Sequence, residues 1–147
     1  MKRLGRIILA FTLAVASSHL LTSIVGTQFV LANIASYGLV VSMSDRFAAT
    51  VHDIHGLVPT LPILIGATFL VAFTVAALGH RFLRGNRRYW YMAAGFTSLP
   101  VTMILIKSTL GATPFAAAGT VTGLLLIAMC GLAGASLFAR LTFKKEA

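Results

Sequence analysis

His52 and His55 are three residues apart. On a helix that spacing puts both imidazoles within reach of one metal ion, and zinc and copper both accept imidazole ligands. Asp45, one or two turns earlier, or the adjacent Asp53 could orient them. A third firm ligand is missing, so the competing reading is a pair of solvated polar residues. His19 lies inside an apolar run, where an ionisable group is costly and marks a functional site unless a neighbour satisfies it. Thr12, Ala16, Ser23 and Thr27 extend its stripe, so His19 should face other helices rather than lipid. It is then either hydrogen-bonded to a neighbouring helix, or a ligand or proton-relay group. Lys107 stands about one helical turn from the end of another apolar run. It can snorkel to lipid headgroups along its own stem, or pair with Asp45 or Asp53 and tie a loop over the bundle.

Other chemistry is poorly supplied. The acidic residues number three, Asp45, Asp53 and Glu146, and no carboxylate lies in an apolar run, where proton- or sodium-coupled carriers need one. There is no Walker A sequence, dinucleotide glycine fingerprint, HExxH or nucleophile elbow. The single cysteine, Cys130, forms no intramolecular disulfide or CxxC pair and reads as a small packing residue. A bis-histidine haem needs two ligands at similar depth on facing helices. His19 could pair with His52 or His55 only if their segment dipped inward, and His80 falls on the opposite side. No cofactor is expected.

The elements that must position these residues follow from composition and charge. Of 147 residues, 58% are hydrophobic and 10% charged, against about 25% charged in an ordinary soluble domain. With a mean hydropathy of +0.92, most side chains should have lipid as their solvent. The net charge is +9 and there are twelve Lys and Arg residues. All but Arg46 and Lys107 gather at four points: Lys2, Arg3 and Arg6; the stretch from Arg81 to Arg88; Arg140; and Lys144 with Lys145. Lys and Arg stay on the cytoplasmic side of an inner membrane. The charge therefore describes topology, and no nucleic-acid partner is expected. The partner is the lipid bilayer, whose anionic headgroups add roughly 1 kcal/mol of attraction per basic residue.

The expected fold is an all-α, four-transmembrane-helix bundle, N-in and C-in, forming a single integral membrane domain over residues 1–147. Spans fall at about 7–26, 58–79, 89–111 and 115–138, each roughly the 20 residues that cross a hydrocarbon core. The first also resembles a secretory signal, with an A-x-A site at Ala14-Val15-Ala16 that would release residues 1–16. Its apolar character continues through Leu20, Leu21, Ile24 and Val25, which favours an uncleaved helix. The outer loop is 27–57. Residues 28–43 are broken by Asn33, Ser36, Gly38 and Ser42, and either continue the first helix or lie along the surface. Ser44 reads as an N-cap with Asp45 in the first turn. Phe47, Val51 and Ile54 make one apolar face, with Asp45, His52 and His55 on another side. This predicts a short amphipathic helix on the outer interface, ended by Gly56 and Pro59. Tyr89, Trp90 and Tyr91 read as interfacial anchors, Pro100 as a kink, and Gly111 to Pro114 as a short outer turn.

Lipid gives helices no hydrophobic reason to associate, so small residues mark the contacts. Ala10, Ala14, Ser18, Thr22 and Gly26 are spaced four apart. Gly119 and Gly123, Gly131 and Ala135, and the group Ala93, Ala94, Gly95 and Ser98 supply further close-approach positions. Contact within the chain is favoured over a homo-oligomer or a membrane-protein partner. His19, Gln28, Asp45, His52, Asp53, His55 and Lys107 all fall toward the outer leaflet, so any small-molecule, proton or metal site should open to the periplasm. Packing residues are plentiful and buried chemistry is scarce. The expected role is therefore a non-catalytic bacterial inner-membrane protein, an accessory, assembly or stabilising subunit of a membrane complex. The alternatives are a small oligomeric permease for a small molecule or ion, with His19 and Lys107 on the path, or a periplasm-facing metal or haem binder using His52 and His55.

Overall fold

The computed structural model describes residues 2–83, 86–111 and 116–143. Arg84 and Gly85 of the basic turn, residues 112–115 of the short outer turn, and the tail with Lys144, Lys145 and Glu146 lie outside the described residues. The chain forms α1 (Lys2–Ser36), α2 (Met43–Gly56), α3 (Leu61–Leu83), α4 (Arg87–Leu110), a 3₁₀ turn (Ala116–Gly119) and α5 (Val121–Phe143). There is no strand among the described residues. Helices α1, α3, α4 and α5 are long and apolar enough to cross a membrane. At 1.5 Å per residue the three shorter ones reach about 35 Å, somewhat more than a ~30 Å hydrocarbon core.

α1 is the exception, with 35 residues. It overruns the expected 7–26 span because no proline or glycine interrupts it after Gly26. It stops where Gly38 adopts a left-handed φ of 84°, a conformation that only glycine enters without cost. α2 begins two residues earlier than the sequence suggested. Its N-cap is Ser42, not Ser44. The Ser42 hydroxyl accepts from the Asp45 N–H (3.1 Å) and the Asp45 carboxylate accepts from the Ser42 N–H (3.0 Å). Reciprocal capping needs the carboxylate three positions after the cap, and only Ser42 stands at that spacing. α3 starts at Leu61 with Pro62 in its first turn, where a missing N–H is harmless. α4 starts behind Asn86, whose side chain accepts from the Arg88 N–H at 3.1 Å, continues through Pro100, and ends on Gly111 with φ 68°. α5 starts at Val121, six residues later than the predicted 115, because Thr120 caps it by accepting from the Gly123 N–H at 3.1 Å.

The small residues work largely as expected. Ala10, Ala14, Ser18, Thr22 and Gly26 are all buried. α1 and α5 cross at Gly134, where a Cβ would stand 2.7 Å from the Ala14 carbonyl oxygen. α4 and α5 cross at Gly95 and Gly131. A Cβ on Gly95 would meet Ala135 Cβ and stand 2.7 Å from Gly131 O, and one on Gly131 would meet Gly95 O. Of the four small residues on α4, Gly95 alone is fully buried and Ala93 is exposed. The pair Gly119 and Gly123 does not act as a helix face. Gly119 ends the 3₁₀ turn, and Gly123 lies against the Ala117 carbonyl.

Beyond the glycines, Phe69, Phe73, Tyr91 and Phe138 stack with ring centroids 4.6 to 5.5 Å apart, and Phe11 meets Phe73 edge-on at 6.3 Å. Tyr91 is thus a core residue rather than an interfacial anchor. Trp90 packs its ring 3.0 Å from where a Gly79 Cβ would stand, and only Tyr89 of the three aromatics is fully exposed. Arg6 Nε donates to Leu141 O at 2.7 Å, and the Arg87 guanidinium sits 4.4 Å over the Phe143 ring. These contacts join the start of α1, the end of α3, the start of α4 and the end of α5 at one end of the bundle. α2, the 3₁₀ turn and the end of α4 occupy the other.

Candidate functional site

Thr68 of α3 and Thr102 of α4 share a hydrogen bond at 3.1 Å, but the polar side chains cluster where α2 packs on the second half of α1. Arg46, Thr50 and Asp53 recur at i, i+4 and i+7, one face of α2, and that face turns to α1. Gln28 bridges the first two: its amide oxygen accepts from Arg46 Nη1 at 3.0 Å and its amide nitrogen donates to Thr50 Oγ1 at 3.0 Å. Thr50 donates in turn to the Arg46 carbonyl at 2.7 Å. One turn on, Thr27 Oγ1 lies 2.7 Å from Asp53 Oδ2 and 2.8 Å from the Ser23 carbonyl oxygen. A hydroxyl has one proton, so Thr27 serves the two acceptors by sharing it. Arg46 and Thr50 were missed as site residues on the sequence. Their i, i+4, i+7 spacing with Asp53 is the signal that could have found them, one position out of step with Phe47, Val51 and Ile54.

Between these helices lies a cavity of about 280 Å³. Thr27 and Asp53 are its polar walls. Gly26, Val30 and Leu31 of α1, Ala49 and Leu57 from the α2 side, and Ala116 of the 3₁₀ turn complete it. Among the described residues Asp53 is the one ionisable residue that lines it.

His19 is two turns deeper on the same stripe, since His19, Ser23 and Thr27 are spaced four apart. It is only 5% exposed, and neither ring nitrogen has a hydrogen-bond partner among the described residues. Ser23 Oγ is likewise buried without one. Ser18 Oγ reaches the Cys130 carbonyl at 3.3 Å, and Cys130 is a buried free thiol. The expected bond from His19 to a neighbouring helix is therefore not made. Unpaired buried polar atoms cost about 1–3 kcal/mol each, so this stretch of α1 carries unmet hydrogen-bonding capacity.

The remaining sequence-predicted residues are dispersed. His52 and His55 are both exposed on α2 while Asp53 between them points to α1. Asp45 is taken up by the capping box, where the Ser42 hydroxyl and then the Ser42 N–H hold its carboxyl below the usual range. Lys107 is exposed in the last turn of α4, and both carboxylates that might have paired with it have Ser42 or Thr27 as partners. His80 is half-buried at the opposite end. Among the described residues no group of three or more His, Cys, Asp or Glu side chains is arranged to hold a metal ion. No family model, no curated protein and no solved structure matches this chain.

Proposed function

We propose that this is a multi-pass bacterial inner-membrane protein acting as a non-catalytic accessory, assembly or stabilising subunit of a membrane complex. Membrane insertion is supported by the outer faces of the long helices. Ile63 is 72% exposed and Leu70 62%, and Val75, Val101, Ile104, Leu105, Leu125 and Met129 are exposed with them. In water each such side chain would forgo about 1.5–3 kcal/mol of burial; in lipid it forgoes nothing. Arg6, Arg81, Arg87, Arg88 and Arg140 belong to the aromatic end of the bundle, which supports that end as cytoplasmic. α2 then lies at the periplasmic interface, with Met43, Phe47 and Val51 exposed in step along one side.

The observation that carries the accessory role is where the polar groups go. Asp45 caps α2, and Gln28, Arg46, Thr50, Thr27 and Asp53 fasten α2 to α1. They build a shaped surface rather than converge on a reacting atom. A permease would need His19 and Lys107 on one path, and the first is enclosed within its own bundle while the second is exposed on α4. The test is affinity capture of the tagged protein in mild detergent, followed by mass spectrometry. A stoichiometric membrane-protein partner is expected, lost when Phe47 and Val51 are both replaced by Ser. A monodisperse monomer with no partner overturns the proposal. A reporter fused after Arg88 should read cytoplasmic; a periplasmic signal overturns the orientation.

A further inference from the structure

We propose that the cavity between α1 and α2 is a binding site for an ammonium group carried on a small apolar body, with Asp53 as its counter-charge. The inference does not depend on the accessory role. Three features of the cavity carry it. The first is charge: among the described residues Asp53 is the one ionisable wall residue, in a chain whose net charge is +9. Arg46, two turns away on the same face of α2, is engaged by Gln28 at 3.0 Å. A carboxylate facing a cavity with no cation in its walls is a place where a cation gains and an anion loses.

The second is composition. Apart from Thr27 and Asp53, the described wall residues are aliphatic or glycine. A hydrated metal ion would find one carboxylate and a hydroxyl, far short of the six to eight oxygens calcium takes. An organic cation needs only one anionic partner, because its apolar body is satisfied by Val30, Leu31 and Leu57. At about 280 Å³, the space lies at the small end of ligand pockets, about 300–1,000 Å³. It fits one small ring or a short branched chain.

The third is the shared proton. Thr27 has two acceptors at 2.7 and 2.8 Å and one proton. The Ser23 carbonyl already accepts the Thr27 N–H within α1, so an ammonium N–H donating to Asp53 supplies a full donor to a carboxylate that otherwise shares the Thr27 proton.

The ammonium can come from a free amine or from the headgroup of phosphatidylethanolamine. Two measurements test the site and separate the sources. In the first, 2-phenylethylammonium chloride is titrated into the detergent-solubilised full chain and thermal unfolding is followed, with 2-phenylethanol as the uncharged control. A saturable upward shift with the amine and none with the alcohol is expected, and Asp53→Asn should weaken the apparent affinity tenfold or more. Because that change also touches the contact with Thr27, Ala49→Phe is the second variant. It fills the cavity without removing any of these hydrogen bonds, and it should abolish the shift while leaving the helical content intact. Equal shifts with amine and alcohol, no shift, or an undiminished shift in both variants overturns the site. In the second, native mass spectrometry reads lipid retained from vesicles of equal phosphatidylethanolamine and phosphatidylglycerol. Retained phosphatidylethanolamine that the amine displaces, and that Ala49→Phe loses, identifies the lipid headgroup. Amine binding without such retention identifies a free amine.

Discussion

The crossing of α4 over α5 and the corner where α2 meets α1 join helices by opposite means. At the first, no side-chain to side-chain hydrogen bond joins the two helices among the described residues. Gly95 and Gly131 bring the backbones so near that each occupies the space of the other's missing Cβ. At the second, Gln28, Arg46, Thr50, Thr27 and Asp53 hold the helices by directed bonds, and a cavity remains between them. In lipid, close packing is the dependable source of helix association, because dispersion gains accumulate over many atoms. Directed bonds fix orientation while tolerating space. The first junction is built to be filled and the second to be entered.

Breaking the packed junction should give the largest effect. Gly131→Leu places a branched side chain against Gly95 O and the Leu99 methyl, 3.1 Å from where its Cβ would stand. Overpacking costs about 1–3 kcal/mol when neighbours can move and more when the obstacle is backbone. Thermal unfolding in detergent should show the monodisperse folded species lost or its midpoint sharply lowered, whereas Gly131→Ala should be milder.

A smaller effect is expected on acidification of the polar corner. Ser42 holds the Asp45 carboxyl below its ordinary value, first through its hydroxyl and then through its N–H. A lowered folded-state pKa contributes stability that is complete above the unfolded value near 3.9 and lost as pH falls through the folded one. Hydrogen exchange of the first turn of α2 should therefore rise only below about pH 4. Ser42→Ala, which removes the hydroxyl but keeps the N–H, should weaken that pH dependence and leave exchange in α5 unchanged. Exchange that rises together in both helices would show that α2 has no independent transition.

The smallest effect should come from His19→Leu. An apolar residue of similar size removes two buried ring nitrogens that have no partner among the described residues, and such a replacement is close to neutral or stabilising. The unfolding midpoint should stay level or rise. A marked drop would show that the imidazole has a bonding partner in the folded protein, and would bring the polar stripe of α1 closer in kind to the corner it leads to.

How much of this was legible in the sequence differs between the two junctions for the same reason. Close packing in lipid needs small residues at helical spacing, so Ala10 to Gly26 on α1 and Gly131 with Ala135 on α5 could be read directly. Gly119 misled because its helix starts two residues later, at Val121, and a spacing rule holds only within a helix. The corner was harder. Asp53 was a candidate, but beside His52 and His55, whose direction depends on how α2 is rotated. That rotation is set by Gln28, which lies 18 residues before Arg46, and no local pattern encodes a bond over that distance. The overrun of α1 to Ser36 has the same origin, since Asn33 and Ser36 read as breaks only if helices are expected to stop at the edge of lipid.

The mutual approach of Gly95 and Gly131 has a consequence for how the chain can change. Each glycine is required by the other's carbonyl, so the first substitution at either site already pushes the helices apart. A second at the other site then finds the room already made, and its added penalty should be far less than its penalty alone. Two positions 36 residues apart in the chain therefore behave as one locus. The double replacement resembles either single one, and restoring one glycine rescues almost nothing.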